Sequence, residues 1–208
     1  TQGCVRLLKA PGGAASPQLK EALEETARQS LRAGDIIRHL REFVSRGETD
    51  RSTADVRKLI EEAGALALVG SREQDVRSVF QFAADAGNIL VDRIQIQQVL
   101  INLIRNAMEA MRGRKRRELV VRAWRNDEDH VVIEVADTGP GISEDIAARL
   151  FQPFVTSKPN GMGIGLSISR RIVEAHGGTL VAKRNAEGGA TFRLELPVET
   201  KGTSHADR

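Results

Sequence analysis

The feature that most restricts the fold of this chain is the stretch from Asp137 to Leu166, which contains two clusters of glycine. An apolar run ends at Asp137, the turn Gly139-Pro140-Gly141 follows, and a second cluster, Gly161 to Gly165, opens a predicted helix. Closely spaced glycines let backbone amides approach a phosphate chain at the positive end of a helix. An Asp at the end of a strand can stay buried and accept a hydrogen bond from the amino group of a base. This order of features therefore predicts a nucleotide site.

A pair of asparagines lies upstream, on a predicted amphipathic helix. Asn102 and Asn106 are four residues apart, so they share one face of that helix. An amide oxygen is a neutral ligand for a hard cation, and Mg²⁺ is usually held by few protein oxygens together with phosphates and waters. For an isolated pair the simpler interpretation is two solvated helix residues. A position upstream of two glycine clusters favours a metal and phosphate site instead.

Four motifs in this order carry a resemblance to a known family. N-L-I-R-N-A-M-E-A, D-T-G-P-G-I, L-F-Q-P-F-V-T-S-K and G-M-G-I-G-L resemble the N box, first glycine box, F box and second glycine box of sensor histidine kinases. The later G-G-A-T-F-R-L-E-L-P resembles the end of the same ATP-binding domain. The wider family is the Bergerat (GHKL) type, which also includes the Hsp90, gyrase B and MutL ATPases.

An ATPase of the same fold is the first alternative. The ATPases of the family carry a Glu one helical turn before the metal-binding Asn, where it acts as a general base for water. This chain has Asn102 at that position, which resembles the kinases and argues against hydrolysis. Steady release of phosphate would distinguish the ATPase from the kinase.

Residues 1–49 are predicted to form a helical hairpin. From Pro17 to Arg46 the apolar and small residues alternate four and three apart, as in a heptad seam. The stripe is too wide to be covered within one hairpin, so two hairpins would pair as a homodimeric four-helix bundle. The alternative is that the hairpin packs on the second domain.

The hairpin stretches Q-G-C-V-R-L-L and S-L-R-A-G-D-I-I-R-H-L-R-E-F-V-S-R-G-E-T most closely resemble the dimerisation and phosphotransfer domain of FixL-type sensors, which control nitrogen-fixation genes in rhizobia. In those proteins a haem-containing PAS domain precedes the hairpin. The resemblance therefore implies haem only in an upstream domain, which this chain does not contain.

Residues 53–199 are predicted to form the ATP-binding domain, and 200–208 a polar tail. Strands and helices mix without a repeating βαβ unit, which indicates an α+β fold with helices on one face of a mainly antiparallel sheet; by resemblance it is an α/β sandwich of the Bergerat type. The predicted helices are 55–69, 97–111 and 165–176. The predicted strands are 53–56, 76–82, 89–91, 119–124, 131–135, 179–183 and 190–196.

The resemblance implies ATP and Mg²⁺ as ligands. Asp137 is then expected to accept a hydrogen bond from the adenine amino group, with Gly141 and Thr191 around the base. Asn106 is the expected Mg²⁺ ligand, and Asn102 supports the phosphate side.

The phosphates are expected to lie against the second glycine cluster. Lys158 and the amides of Gly163, Gly165 and Leu166 would hold them, and Phe151 and Phe154 would anchor the lid. The remaining expected nucleotide contacts are Gly139, Ile142, Phe154, Thr156, Gly161 and Ile164. One position departs from the family pattern, because Glu109 stands three residues after Asn106 where a basic residue is common. Arg105 or Arg112 would have to substitute for it.

None of the four histidines matches the phosphoacceptor of the family, which lies on the first hairpin helix before an acid and a Pro. His39 is on the second predicted hairpin helix, His130 at a strand edge, His176 at a helix end and His205 in the tail. Each is expected to be a surface or packing residue. The acceptor is therefore expected upstream of Thr1, and this chain is not expected to phosphorylate itself.

The composition limits the classes of partner and the compartment that are expected for this chain. The net charge of +3 is a weak electrostatic footprint, so no nucleic acid is expected despite the pI of about 9.3. Aromatic residues make up only 3% of the chain, which predicts an aliphatic core. The single Cys4 excludes an internal disulfide, and no signal peptide or long apolar span is seen. The chain is therefore expected in the cytoplasm without direct membrane contact, with any anchor upstream.

In the complete enzyme, by resemblance, the γ-phosphoryl group of ATP passes to a histidine nitrogen and then to an Asp of a response regulator of the FixJ type, docked on the hairpin. The second alternative is a non-catalytic dimerisation and docking module. Failure to bind nucleotide would favour that module.

Overall fold

A computed structural model of the chain describes residues 21, 23–27, 30, 50–68, 75–156, 158 and 162–198. By its internal contacts the chain divides into two units, Thr1–Gly47 and Glu48–Arg208. The described residues of the first unit are helical. The rest of the predicted hairpin, most of its dimer seam, His39 and His205 lie outside the described residues.

The helices of the second unit begin at residues that cap them. Helix α1 (Val56–Ala67) follows Asp55, whose carboxylate accepts a hydrogen bond from the amide of Lys58 at 2.8 Å. Helix α2 (Arg93–Ala110) follows Asp92, which accepts from two amides of the first turn. Caps of this kind stabilise a helix by about 1 kcal/mol. The predicted helix over 55–69 starts within one residue of the observed one, and α2 starts upstream of the Asn motif because Asp92 supplies its cap.

Seven strands and two further helices complete the described part of this unit. Their bounds are β1 (Ser52–Asp55), β2 (Arg77–Phe82), β3 (Asn88–Val91), β4 (Glu118–Arg125), β5 (His130–Ala136), α3 (Glu144–Ala147), α4 (Gly165–Ala175), β6 (Thr179–Arg184) and β7 (Ala190–Pro197). β1 and β3 form an antiparallel pair. The main sheet has the order β2-β4-β5-β7-β6, in which β2 and β4 are parallel and every other pair is antiparallel.

The helices lie on one face of the main sheet. On β7, Phe192, Leu194 and Leu196 are buried, whereas the alternate residues Arg193 and Glu195 bond to each other. Helix α2 packs against both α1 and α4, and the buried faces of helices and sheet form one cluster. Phe192 is the one aromatic residue among the described buried hydrophobic residues, so the aliphatic core is confirmed there.

The mixed α/β architecture expected from the sequence is confirmed. No helix in the described ranges has both the length and the apolar character needed to cross a bilayer.

The end of α4 is tied to the start of α2 through a buried histidine. His176 is 2% exposed, its Nε2 accepts from the backbone amide of Asp92 at 3.0 Å, and its Nδ1 lies 2.7 Å from the oxygen of Ile172. Because Nε2 accepts, the ring proton is on Nδ1. Arg51 donates to the oxygen of Ala175 at 2.6 Å. His176 is thus a packing histidine, as the sequence indicated.

Candidate functional site

Asp137 follows β5 and is buried, with 2% of its surface exposed. Its Oδ1 accepts hydrogen bonds from the backbone amides of Gly139 at 2.7 Å and Ala190 at 3.3 Å. Its Oδ2 is buried and finds no hydrogen-bond partner among the residues that the structure describes. A buried carboxylate oxygen that accepts no hydrogen bond destabilises the folded protein. The arrangement therefore leaves one acceptor ready for a donor from a ligand.

The burial of Asp137 also changes its ionisation. Loss of solvent raises the pKa of this carboxyl above its ordinary value, because burial disfavours the charged form. The hydrogen bonds from Gly139 and Ala190 oppose the rise in pKa but do not cancel it. A donor from a bound ligand would stabilise the charged form further.

The turn between β6 and β7 is hydrogen-bonded to the backbone of Asp137. The side-chain nitrogen of Asn185 donates to the backbone oxygens of Asp137 at 2.9 Å and Ala190 at 3.1 Å. Its Oδ1 accepts from the amide of Gly189 at 2.9 Å. A Cβ on Gly189 would lie 2.0 Å from the oxygen of Asp137, so only glycine allows this approach. Asn185 and Gly189 together fix the position of the Asp137 backbone.

The first glycine turn lies between this β-turn and the end of α2. Gly141 has φ +77°, and a Cβ there would lie 2.6 Å from the oxygen of Gly188. A Cβ on Gly139 would lie 3.1 Å from that of Ala110, the last residue of α2. Thr191 is buried and lies opposite Ala136 in the sheet. The predicted base-site residues thus come together around the end of β5.

An open depression of about 400 Å³ lies beside this turn. Ile142, Leu150, Ala182 and Arg184 are among its lining residues, and Ile142 also belongs to the expected nucleotide contacts. The lining does not include Asp137 or Asn106. The depression therefore borders the candidate site and does not define it.

The two asparagines of α2 are connected to each other and to α4. Asn102 donates from Nδ2 to the hydroxyl of Ser169 at 2.9 Å, and its Oδ1 accepts from Nδ2 of Asn106 at 3.3 Å. A Cβ on Gly165 would lie 2.7 Å from Oδ1 of Asn102, so glycine allows α4 to approach α2 closely. Because Nδ2 of Asn106 is used in this way, its Oδ1 is the atom presented to a cation.

A cationic side chain is hydrogen-bonded to that oxygen. Nζ of Lys158 lies 2.7 Å from Oδ1 of Asn106 and 2.5 Å from Oε2 of Glu109. The amide of Lys158 donates to the hydroxyl of Thr156 at 3.1 Å. The ammonium of Lys158 is therefore bonded to the same amide oxygen that the sequence predicts as the Mg²⁺ ligand. Arg105 and Arg112, the substitutes considered from the sequence, are both exposed.

The second glycine cluster leads into α4, whose N-cap residue makes no side-chain hydrogen bond to the first turn. Gly163 has φ +68°, and its oxygen accepts from the amide of Phe154 at 3.0 Å. Ile164 is the N-cap residue and supplies no side-chain cap. Leu166 packs against the core. The first amides of α4 are thus without a side-chain cap, as an anion site at a helix N-terminus requires. Gly161 lies outside the described residues.

The two phenylalanines of the F motif differ in environment. Phe151 packs against the core, and the guanidinium carbon of Arg170 lies 5.3 Å from its ring centroid. Phe154 has φ 67° and is 74% exposed. Of the two rings expected to anchor this segment, that of Phe151 has a packing contact with the core and that of Phe154 is exposed.

Sequence reasoning missed two residues that support the site, Ser169 and Asn185. Ser169 lies four residues after Gly165 on α4 and is 2% exposed, and nothing in its pattern distinguishes it from other polar helix residues. Asn185 begins an N-A-E-G-G turn, which indicates a turn but not its neighbour. In the sequence, Glu109 stands out only because the family commonly has a basic residue at this position. The sequence does not indicate its contact with Lys158.

This chain is similar to known proteins over much of its length. The family model described as "Histidine kinase-, DNA gyrase B-, and HSP90-like ATPase" matches residues 91–200. Sensor protein FixL of Bradyrhizobium diazoefficiens is 53% identical over 197 residues, which are 95% of this chain and 39% of that protein. The resemblance to FixL and other sensor histidine kinases drawn from the motifs is confirmed.

Two solved structures are similar over most of the chain. Histidine kinase ThkA in complex with response regulator protein TrrA has a TM-score of 0.73 and 27% identity, over 94% of this chain and 56% of that one. Full-length ShkA in complex with AMPPNP has a TM-score of 0.75 and 28% identity, over 94% of this chain and 42% of that one. The chain thus spans about two-fifths to somewhat over half of the proteins that it matches here.

Proposed function

We propose, because this chain belongs to the histidine kinase-, DNA gyrase B-, and HSP90-like ATPase family, that it is the ATP-binding core of a FixL-like sensor histidine kinase. The proposed activity is transfer of the γ-phosphoryl group of ATP to a histidine. A cytoplasmic location is part of the proposal, since a single cysteine forms no internal disulfide and ATP is the expected substrate.

The observation that carries the nucleotide assignment is the unpartnered Oδ2 of Asp137. The two backbone amides on Oδ1 hold the carboxylate in one orientation, which leaves Oδ2 as the acceptor. Adenine presents an amino donor, whereas guanine presents an oxygen at the same place. An ionised Asp137 would therefore accept from adenine and would repel guanine.

Asn106 is the proposed ligand of Mg²⁺. Its Oδ1 already accepts from an ammonium group, and its Nδ2 is held by Asn102, so this donor set fits a cation. When bound, Mg²⁺ would neutralise negative charge between phosphate oxygens. In the protein, Asn102 and Ser169 orient the amide of Asn106 toward that position.

The phosphate chain is proposed to lie at the start of α4. The uncapped amides of Gly165 and Leu166 and the nearby Lys158 would counter its charge. Asn102 is a neutral amide whose nitrogen and oxygen are both hydrogen-bonded, so it cannot take a proton from water. This favours phosphoryl transfer over hydrolysis, because transfer relies mainly on positioning and charge stabilisation.

The acceptor is proposed to be a histidine upstream of Thr1. His176 is buried and bonded on both nitrogens, and His130 begins β5 with its Nδ1 at 2.9 Å from the oxygen of Glu128. The further partners proposed are a second copy of the chain, paired through a helical hairpin, and the receiver domain of a response regulator. The complex of histidine kinase ThkA with response regulator TrrA supports the regulator as partner.

The test is a calorimetric titration of the chain with ATP, ADP and GTP in the presence and absence of Mg²⁺. Binding of ATP and ADP in preference to GTP is expected, with tighter binding of ATP in Mg²⁺. If none of the three nucleotides binds, the proposal fails and a docking module is favoured.

A further inference from the structure

Glu109 makes a contact for which the proposed function has no use. Its carboxylate and the amide of Asn106 are three residues apart on α2 and therefore share one face. Both bond to the ammonium of Lys158, at 2.5 Å and 2.7 Å. The Lys158 and Glu109 side chains are 39% and 43% exposed, so the contact is open to solvent on one side.

The ammonium group and a metal ion cannot both use Oδ1 of Asn106 in the same position. The amide of Asn106 cannot turn away, because its nitrogen donates to Asn102, whose own nitrogen donates to Ser169. Mg²⁺ binds oxygen at about 2.0–2.1 Å and demands near-octahedral geometry. A lysine ammonium beside the same oxygen would repel Mg²⁺ and occupy part of the coordination space of the ion.

Glu109 gives the ammonium of Lys158 a second acceptor beside this oxygen. A neutral amide alone holds a solvated ammonium weakly, and an exposed ion pair alone also contributes little. Together they give the ammonium two acceptors from one helix face. From this arrangement we infer that Glu109 is a positioning residue that keeps Lys158 on Asn106 in the nucleotide-free protein, so that a Mg²⁺-nucleotide must displace Lys158 as it binds.

This inference rests on the proposed role of Asn106 in metal binding. In this arrangement Glu109 lowers the affinity for the Mg²⁺-nucleotide, because Glu109 holds Lys158 on the proposed metal ligand. Once displaced, Lys158 is free to pair with phosphate, and the carboxylate of Glu109 is left without its cation.

The test is a set of four proteins, namely wild type, Glu109→Gln, Lys158→Met and the double variant. Titration with AMPPNP and Mg²⁺ is expected to show a two- to fivefold higher affinity for Glu109→Gln than for wild type, the range of an exposed ion pair. In the Lys158→Met background the same change is expected to have no effect. Glu61→Gln, which removes an exposed acid paired with Arg57 on α1, controls for net charge and is expected to leave the affinity unchanged.

A second measurement needs no nucleotide. The melting temperatures of the four proteins without ligand are expected to be non-additive, because Glu109 and Lys158 stabilise each other. Glu109→Gln with lower affinity would overturn the inference, since Glu109 would then assist the metal. A gain in affinity that persists in the Lys158→Met background would overturn it too, because Glu109 would then act only by repelling phosphate. Wild type that binds no nucleotide would instead defeat the proposed function.

Discussion

The side-chain nitrogen of Asn185 donates to the backbone oxygen of Asp137 at 2.9 Å, across 48 positions of the sequence. The same nitrogen donates to Ala190, whose amide in turn donates to the Asp137 carboxylate. The carboxylate proposed to read the base is therefore held by a turn that does not belong to its own strand.

The first prediction concerns this turn. Asn185→Ala should remove the donor to two carbonyl groups and reduce the free energy of unfolding by about 1–3 kcal/mol. ATP affinity should also fall roughly tenfold, because Asp137 loses its support. Urea unfolding and calorimetric titration measure the two effects.

A matched control is Asn126→Ala. Asn126 starts the turn between β4 and β5, and its Oδ1 accepts from the amides of Glu128 and His130, much as Asn185 accepts from Glu187 and Gly189. These hydrogen bonds of Asn126 stay within its own turn and do not reach Asp137, so its loss should affect stability but not ATP affinity. Equal effects of both variants on ATP affinity would contradict the positioning role of Asn185.

The second prediction concerns base selection. Asp137→Asn should replace the free acceptor by a donor that faces the adenine amino group. This mismatch should cost about 1–3 kcal/mol, which is roughly ten- to a hundredfold in the dissociation constant for ATP. GTP should bind wild type poorly. Unchanged ATP affinity in the variant would remove Asp137 from the base site.

The third prediction is a dependence of stability on pH. The pKa of Asp137 is higher in the folded than in the unfolded chain, because burial disfavours its charge. Its favourable contribution to folding is then fully present below the unfolded pKa, which is about 3.9, and is lost as pH rises through the folded pKa. The free energy of unfolding of wild type should therefore decrease relative to Asp137→Asn across this window. Urea unfolding at a series of pH values measures it, and parallel curves for the two proteins would refute it.

The fourth prediction separates the metal ligand from the fold. Asn106→Ala should abolish the part of nucleotide affinity that depends on Mg²⁺. The melting temperature without nucleotide should change little, because Asn106 is only half-buried. A variant that simply unfolds would show that Asn106 is structural.

The fifth prediction concerns the acceptor histidine. The 208-residue chain should bind ATP with Mg²⁺, release phosphate slowly and incorporate no acid-labile phosphate, since the proposed acceptor lies upstream. A longer protein that includes the upstream helix should label itself, and replacement of His39 there should leave labelling intact. Phosphohistidine mapped to His39 in the present chain would reject this assignment.

Much of this fold could be predicted from the sequence because its elements carry local signals. The predicted strands 119–124 and 131–135 match β4 and β5, and the predicted helix 55–69 matches α1. The parallel pairing of β2 with β4 could not be predicted, since β3 and α2 lie between them in the chain. Strand order depends on long-range packing, and no short pattern encodes it.

The same distinction holds for the candidate site. Asp137, Asn106 and Gly165 could be identified because motifs of fixed spacing contain them. Asn185 could not be identified, because an Asn that accepts from two following amides also occurs at Asn126, away from the site. The pairing of Lys158 with Glu109 joins residues 49 positions apart, and charge alone does not select that partner from the many surface acids.

Helix α4 begins where Gly165 meets Asn102 and ends where Ala175 and His176 meet Arg51 and Asp92. At a rise of about 1.5 Å per residue, its 11 residues form a rod roughly 16 Å long. One end of this rod lies at the proposed phosphate position, and the other touches Arg51, just before the first strand of the unit. The proposed phosphate position and the residue that precedes β1 are therefore joined by one continuous helix, with no loop between them.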